Sequence, residues 1–347
     1  MKRFEWIDTL KGIGICTVVA GHIYGGEIRE MISIFHMPLF FCIGGFLYSS
    51  KYNNQEYLKN KLIHLIVPYI SFVILLYPIQ LLTMLPQKDN FSFVDILKLI
   101  VNPIVGGVYL WGLTAAFWFI TCFFITQQLA NLIIKKANPH HLKFYIIFMT
   151  ALSYLNALVL PKFWLPQNAN VALAAVPLFL LGFLLRKHYS ERNYYFISIP
   201  SVIISWLLII FYSQQFPDEW FFVGYQMKRS NYGMPVISLL LALGIILFCI
   251  DISKFLVKKI PAIAKIFSAL GQASMIILFL HLAFVYALKN LDLGILSSNL
   301  FILFILSTAL SFISYTMMIR FSFTRAVLLG SKKDFEQIFI TKNKQFF

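Results

Sequence analysis

Ten apolar runs follow one another along the chain, at roughly 9–27, 31–49, 62–85, 114–134, 142–160, 171–186, 194–213, 234–251, 268–288 and 296–319. Each is close to the roughly 20 residues a helix needs to cross about 30 Å of hydrocarbon. An eleventh stretch, FSFVDILKLIVNPIVGGVY (92–110), is interrupted by Asp95, Lys98, Asn102 and Pro103 and reads as an interfacial or re-entrant piece. The expected fold is therefore all-α, a polytopic membrane helix bundle of about ten transmembrane helices. Composition agrees. Of the 347 residues 59% are hydrophobic and 12% charged, about half the charged share of a soluble domain, and the mean hydropathy is +0.78. A soluble globule, a disordered chain and a nucleic-acid-binding domain are excluded.

The net charge of +15 comes from 29 Lys and Arg against 14 Asp and Glu. With the N-terminus placed inside, 21 of those cations fall in inner segments and seven in outer ones, Lys11 lying within the first span. This is the asymmetry of the positive-inside rule, and it predicts that both termini are cytoplasmic. Residues 1–320 form one transmembrane domain. The basic tail, 321–347, is expected along the anionic inner leaflet. Met1-Lys2-Arg3 leads into a long span with no small-residue cleavage site, so that span is expected to remain as an anchor. Cys16, Cys42, Cys122 and Cys249 sit in apolar runs without metal-ligand spacing and read as small buried hydrophobes.

Ionisable residues inside spans are costly and mark candidate sites. The first span, WIDTLKGIGICTVVAGHIYGG, holds Asp8, Lys11 and His22. Lys11 and His22, eleven residues apart, share a helix face and are separated by about 16 Å of rise, with Asp8 three residues before Lys11 on that face. Lys11 is expected near the cytoplasmic interface and His22 beyond the midplane, with the span's glycines a thin packing flank. A snorkelling Lys11 and a satisfied buried His22 are the plain alternative. The segment FHMPLFFCIGGFLY (35–48) opens with His36, expected near the outer interface and close to His22 through a short connection. Lys59, Lys61 and His64 form a basic rim at the cytoplasmic end of the third span, before a kink expected at Pro68-Tyr69. The rim suits anionic phosphates, or is ordinary positive-inside decoration. Trp118 reads as a packing or interfacial aromatic. Ser274 and His281, seven residues apart, share a face of the ninth span. The sequence lacks a phosphate-binding glycine loop, an H-E-x-x-H helix and a G-x-S-x-G elbow.

The ordered pieces WIDTLKGIGICTVVAGH, FHMPLFFCIGGFLY and KNKLIHLIVPY, then FWFITCFF (117–124), VPLFLLGFLLRK (176–187) and LGQASMIILFLH (270–281), resemble the acyltransferase family 3 membrane proteins. The resemblance implies a multi-pass O-acyltransferase of the bacterial plasma (inner) membrane. It implies transfer of an acyl group, usually acetyl from acetyl-CoA as donor substrate with no permanently bound cofactor, to a glycan or lipid-linked sugar acceptor. Such acceptors include O-antigen, capsule and exopolysaccharide. His22 matches the family's essential histidine, and Lys11 stands where many members carry Arg, keeping the charge but losing the planar fork. On this reading His22, Asp8, Lys11 and His36 are catalytic, and Lys11, Lys59, Lys61 and His64 hold the coenzyme. His36, Trp118, Ser274 and His281 meet the acceptor. A proton-coupled transporter or flippase using the histidines as a relay is the rival from another class.

Overall fold

The computed structural model describes residues 4–84, 92–137, 141–159, 164–188, 193–215, 223–291 and 298–341. The predicted tail's last residues, 342–347, lie outside the described residues, as do Lys2, Arg3, Lys88, Lys162 and Arg192. The described chain is helical, its only β feature an isolated bridge between Gln226 and Asn231. The predicted apolar runs are helical, except that 268–288 is broken into two helices bent by 80°. Among the described residues eight helices are long and apolar enough to cross a membrane, and the broken pair Pro261–Gln272 and Ser274–Asn290 makes a ninth if taken as one span. The tenth run is α1 (Glu5–Ile23), which falls outside that set. Glu5, Asp8 and Lys11 dilute its hydropathy, yet it buries Ile7, Leu10, Ile15, Val18 and Val19. The protein is a polytopic membrane helix bundle.

The chain divides into two compact units. The first comprises residues 1–49, 133–163 and 170–274. It contains α1, α2 (Gly26–Phe46), α7 (Leu142–Val159), α8 (Ala172–Lys187), α9 (Tyr195–Gln215), α10 (Ile237–Lys259) and α11 (Pro261–Gln272). Helix α1 packs on α2, α10 and α11, while α2 also packs on α8. Lipid tails are as apolar as the helices, so association relies on close backbone approach rather than on leaving water. Two crossings depend on it. A Cβ at Gly12 would strike the Phe267 carbonyl, and one at Gly271 the Asp8 carbonyl. At the α2–α8 crossing Gly45 meets the Phe179 carbonyl and Gly182 that of Cys42. Asp251, fully buried on α10, accepts from the Tyr194 N–H (2.8 Å) and the Ser198 hydroxyl (3.4 Å). It thereby caps the N-terminus of α9, a donor-rich end that favours a carboxylate.

The second unit comprises residues 50–132, 164–169 and 275–347. Helix α3 (Asn54–Lys61) opens on a capping box between Asn53 and Glu56. It runs through a π-helical turn, Leu62–Ile66, into α4 (Val67–Met84). Within that turn the Val67 N–H reaches the Leu62 carbonyl, five residues back. Pro68 has no N–H for the His64 carbonyl, so the expected kink takes the form of a local π turn. Helix α5 (Phe93–Val105) falls in the interrupted stretch 92–110. At 13 residues it is about 20 Å long, too short to span. It buries none of its residues, and it is tied down where the Tyr77 hydroxyl donates to the Leu99 carbonyl at 2.6 Å. The unit continues with α6 (Trp118–Lys136), α12 (Ser274–Asn290, from Met275) and α13 (Leu300–Met318).

Two further short helices, α14 (Ser322–Val327) and α15 (Lys332–Phe335), and a π-helical stretch, Glu336–Thr341, lie in the described tail. It is a folded clasp against the helix that opens the second unit, at the turn around His64. Arg325 grips Asp334 bidentately, at 2.7 and 3.0 Å. Lys59 pairs with Glu336 at 2.9 Å. Gly330, at φ +62°, lies so close to the His64 backbone that no side chain fits there.

Candidate functional site

Helix α1 carries charge at one end and imidazole at the other. Lys11 Nζ lies 3.3 Å from Asp8 Oδ1, with the two side chains 27% and 16% exposed. The pair sits at the α1–α11 crossing, where Gly271 abuts the Asp8 carbonyl. Half-buried, it is desolvated enough for each charge to need the other. His22 lies in the last turn of α1, where the helix dipole favours positive charge, and it is exposed. It is thus at the helix end rather than deep within a longer span, because α1 stops at Ile23 and Gly26, at φ +58°, begins α2.

That tight connection sets the depth of His36. Gly21 of α1 faces Ile32 of α2, and Gly14 faces Leu39 and Phe40. The antiparallel register therefore puts His36 level with residue 17. It lies about five residues, or 7–8 Å, further from the hairpin tip than His22. The two histidines occupy one hairpin at different depths, the reverse of the expected order, with no direct contact implied. His36 Nδ1 is 2.7 Å from the Ile32 carbonyl. A carbonyl only accepts, so Nδ1 carries the hydrogen and Nε2 is the lone-pair atom of the neutral ring.

In the second unit His281 is fully buried on α12, its Nδ1 2.8 Å from the Ile277 carbonyl. The same argument leaves Nε2 as its basic atom. Two residues earlier, Phe279 stacks on Phe72 (4.5 Å between centroids) and meets Phe117 edge-on (4.7 Å). Trp118, the neighbour of Phe117, is 6% exposed and meets the Phe119 ring edge-on, 6.3 Å between centroids. Ser274 is the first residue of α12, about 10 Å along the helix from His281. Lys59 and His64 are exposed, and Lys61 Nζ sits 5.3 Å over the Tyr57 ring. Asp8, Lys11, His22 and His36 thus gather in the first unit, and Lys59, Lys61, His64, Trp118 and His281 in the second. Ser274 closes the first.

Some features carry no sequence signal that the span reading could use. Gln167 and Asn168, both with positive φ (59° and 55°), form a left-handed turn against Gly106 and Gly107. Gln167 accepts from the Tyr69 hydroxyl (3.3 Å) and donates to the Ile104 carbonyl (2.8 Å). Its own carbonyl accepts from Thr121 (3.4 Å). Two adjacent non-glycine residues in this conformation persist only where surroundings over-determine them, a habit of functional sites. The P-Q-N-A-N string is a turn signal, but the partners on α4, α5 and α6 are visible only in space. The Tyr57 hydroxyl donates to Gln127 (3.2 Å) and Asn131 donates to Asn54 (3.0 Å), neutral polar pairs that hydropathy does not register. Among the described residues no group of three or more His, Cys, Asp and Glu is placed to hold a metal ion.

A family model described as an acyltransferase domain matches residues 4–316. No curated protein and no solved structure matches.

Proposed function

The chain belongs to the acyltransferase family whose model covers residues 4–316, and from that premise we propose that it moves an acetyl group from acetyl-CoA to a hydroxyl of a surface glycan. The protein is a multi-pass membrane acyltransferase. The bacterial plasma membrane, the donor and the acceptor belong to the proposal.

The observation that carries the reading is the hairpin of α1 and α2. It presents an accessible imidazole, His22, at one end of the helix whose other end holds the Asp8–Lys11 pair. Acyl transfer needs a base for the acceptor hydroxyl. Imidazole, with an ordinary pKa near 6.5, takes and releases a proton at neutral pH. His22 removes the hydroxyl proton as the oxygen attacks the thioester carbonyl. The C–S bond breaks, and the proton passes to the departing thiolate, leaving an ester and free coenzyme. His36, its Nε2 basic, orients the acceptor. Lys59, Lys61 and His64 take the coenzyme's phosphates. The Lys59–Glu336 pair supports that role, because an exposed carboxylate held at 2.9 Å is a partner that a phosphate replaces at little cost. Trp118, Ser274 and His281 belong to the acceptor side.

The test is NMR of surface polysaccharide from a deletion strain complemented with wild type or His22→Ala. An O-acetyl signal restored by wild type alone supports both the reaction and the base. Identical glycans in all strains, together with no CoA binding by the purified protein, refute acetyl transfer and favour proton-coupled transport.

A further inference from the structure

The chain entering α10, described from Val223, is a compact loop in the first unit. Gln226 and Asn231 bridge across it. Gly233, at φ +62°, lies so close to the Val223 carbonyl that no side chain fits there. The Tyr225 and Tyr232 rings, both buried, stand 5.3 Å apart. Tyr154 of α7 meets Tyr232 edge-on (5.8 Å) and donates to its carbonyl (3.3 Å), and Asn170 donates to the Ser230 hydroxyl (3.1 Å). A loop packed by its own side chains in this way holds one shape.

One carboxylate fixes where that loop sits. Glu30 of α2, half-buried, accepts from the Val223 N–H at 3.1 Å and from the Gly224 N–H beside it. Val223 is fully buried, in the core that Met31, Ile34 and Phe35 of α2 also build. Backbone N–H groups outside a helix and among apolar side chains need acceptors, and a carboxylate makes a stronger one than a neutral oxygen. The hairpin register, with Gly21 facing Ile32, puts Glu30 level with Ile23, about one residue from His22 in depth. Packed helix axes lie about 8–10 Å apart, so the tether is that near to the turn bearing His22. We infer that Glu30 is a positioning residue for acyl transfer: it holds the 223–236 loop beside the hairpin tip, where the loop forms the wall against which an acceptor sugar meets His22. The inference rests on the reading of His22 as the base. Arg29, Lys228 and Arg229 mark both connections as outer segments under the Lys and Arg asymmetry, the side on which a surface glycan is met. Lys59, Lys61 and His64 belong to the other unit, so the tether should govern acceptor use and leave coenzyme affinity alone.

The test places wild type, Glu30→Ala, Glu30→Gln, Gly233→Ala and Glu27→Ala in the deletion strain, with each protein also purified at full length in detergent. Hydrogen–deuterium exchange read by mass spectrometry reports the tether without reference to activity. Exchange over 223–233 should rise about tenfold or more in Glu30→Ala, the worth of a lost hydrogen bond to a charged group. It should rise less in Glu30→Gln, whose amide oxygen still accepts. The glycan O-acetyl signal, corrected for folded protein, should fall by the same order in Glu30→Ala and partly return in Glu30→Gln. Acetyl-CoA affinity, measured by calorimetry, should match wild type in both. Gly233→Ala drives a methyl onto the Val223 carbonyl and should repeat the pattern with Glu30 intact. Glu27, whose carboxylate meets the Ser213 hydroxyl at 3.1 Å, is the control for charge at the hairpin tip. Glu27→Ala should keep both loop protection and O-acetylation. Unchanged exchange in Glu30→Ala, full O-acetylation on a loosened loop, or an equal loss in Glu27→Ala overturns the inference. A wild type that restores no O-acetyl signal refutes acetyl transfer itself, and the positioning role falls with it, while the exchange data still report the tether.

Discussion

Replacing Gly12 by Ala tests the close approach that holds the Asp8–Lys11 pair in place. The added methyl projects onto the Phe267 carbonyl of α11, a backbone atom that no rotamer change moves aside. Ordinary C···O contacts begin near 3.3 Å, so α1 and α11 must part by roughly 1–1.5 Å at the crossing. The cost is that of overpacking, about 1–3 kcal/mol. Gly271 meets Asp8 and Gly12 at the same crossing, so Gly271→Ala carries a similar cost. Once one methyl has separated the helices, the second meets relieved space. The double variant should therefore fall short of the sum of the single costs by about 1 kcal/mol or more. Gly25→Ala is the control, since a Cβ there meets nothing within 4 Å, and it should stay within about 0.5 kcal/mol of wild type. Reversible unfolding in mixed micelles, followed by circular dichroism, measures all four variants. Turnover, corrected for folded fraction, should fall for Gly12→Ala because the crossing also sets Asp8. A Gly12→Ala protein as stable as the control, or strictly additive costs, would refute the close-packed crossing.

Gln167→Ala removes the hydrogen bonds to Tyr69 and Ile104 and leaves a methyl side chain at positive φ. It should cost about 2–3 kcal/mol in the same unfolding assay, and Gln167→Gly about 1 kcal/mol less, because glycine tolerates the left-handed turn. Lys59→Ala should raise KM for acetyl-CoA with little change in kcat, whereas Glu336→Ala should leave KM unchanged or lower it. Steady-state kinetics separates the two, and equal effects would mean the pair is purely structural. The tail clasp should open in acid. Hydrogen bonds from Arg325 and Ser331 hold the Asp334 carboxyl at about 2, below its ordinary 3.8. A depressed carboxyl stabilises the fold above its unfolded pKa and loses that contribution as pH falls through the folded one. Amide protection over 322–335, corrected for intrinsic exchange, should thus be intact above about pH 4 and decline toward pH 2. Asp334→Asn should lack protection at both ends.

The helical architecture was legible in the sequence because the bilayer imposes it. A spanning segment must be long, apolar and internally hydrogen-bonded, and the predicted runs are helical for that reason, 268–288 with a sharp break at Ala273. The short amphipathic stretch at 92–110 was legible too, since Asp95, Lys98 and Pro103 deny it a continuous apolar span. The motifs around Asp8, Lys11 and His22 pointed to the family that the match over residues 4–316 establishes. Depth and partnership were not legible. Helix ends depend on local turns, so only the Tyr24-Gly25 connection and the Gly21–Ile32 register show that His22 lies at the hairpin tip and His36 deeper. Charge along the chain says where Lys59 is, not that Glu336 folds back onto it. Spacing on one helix likewise cannot reveal that Asp251 caps another, or that Gln167 ties three elements together. Hydropathy is a property of single segments, whereas capping, register and close approach are relations between segments, and these arise only when the helices pack.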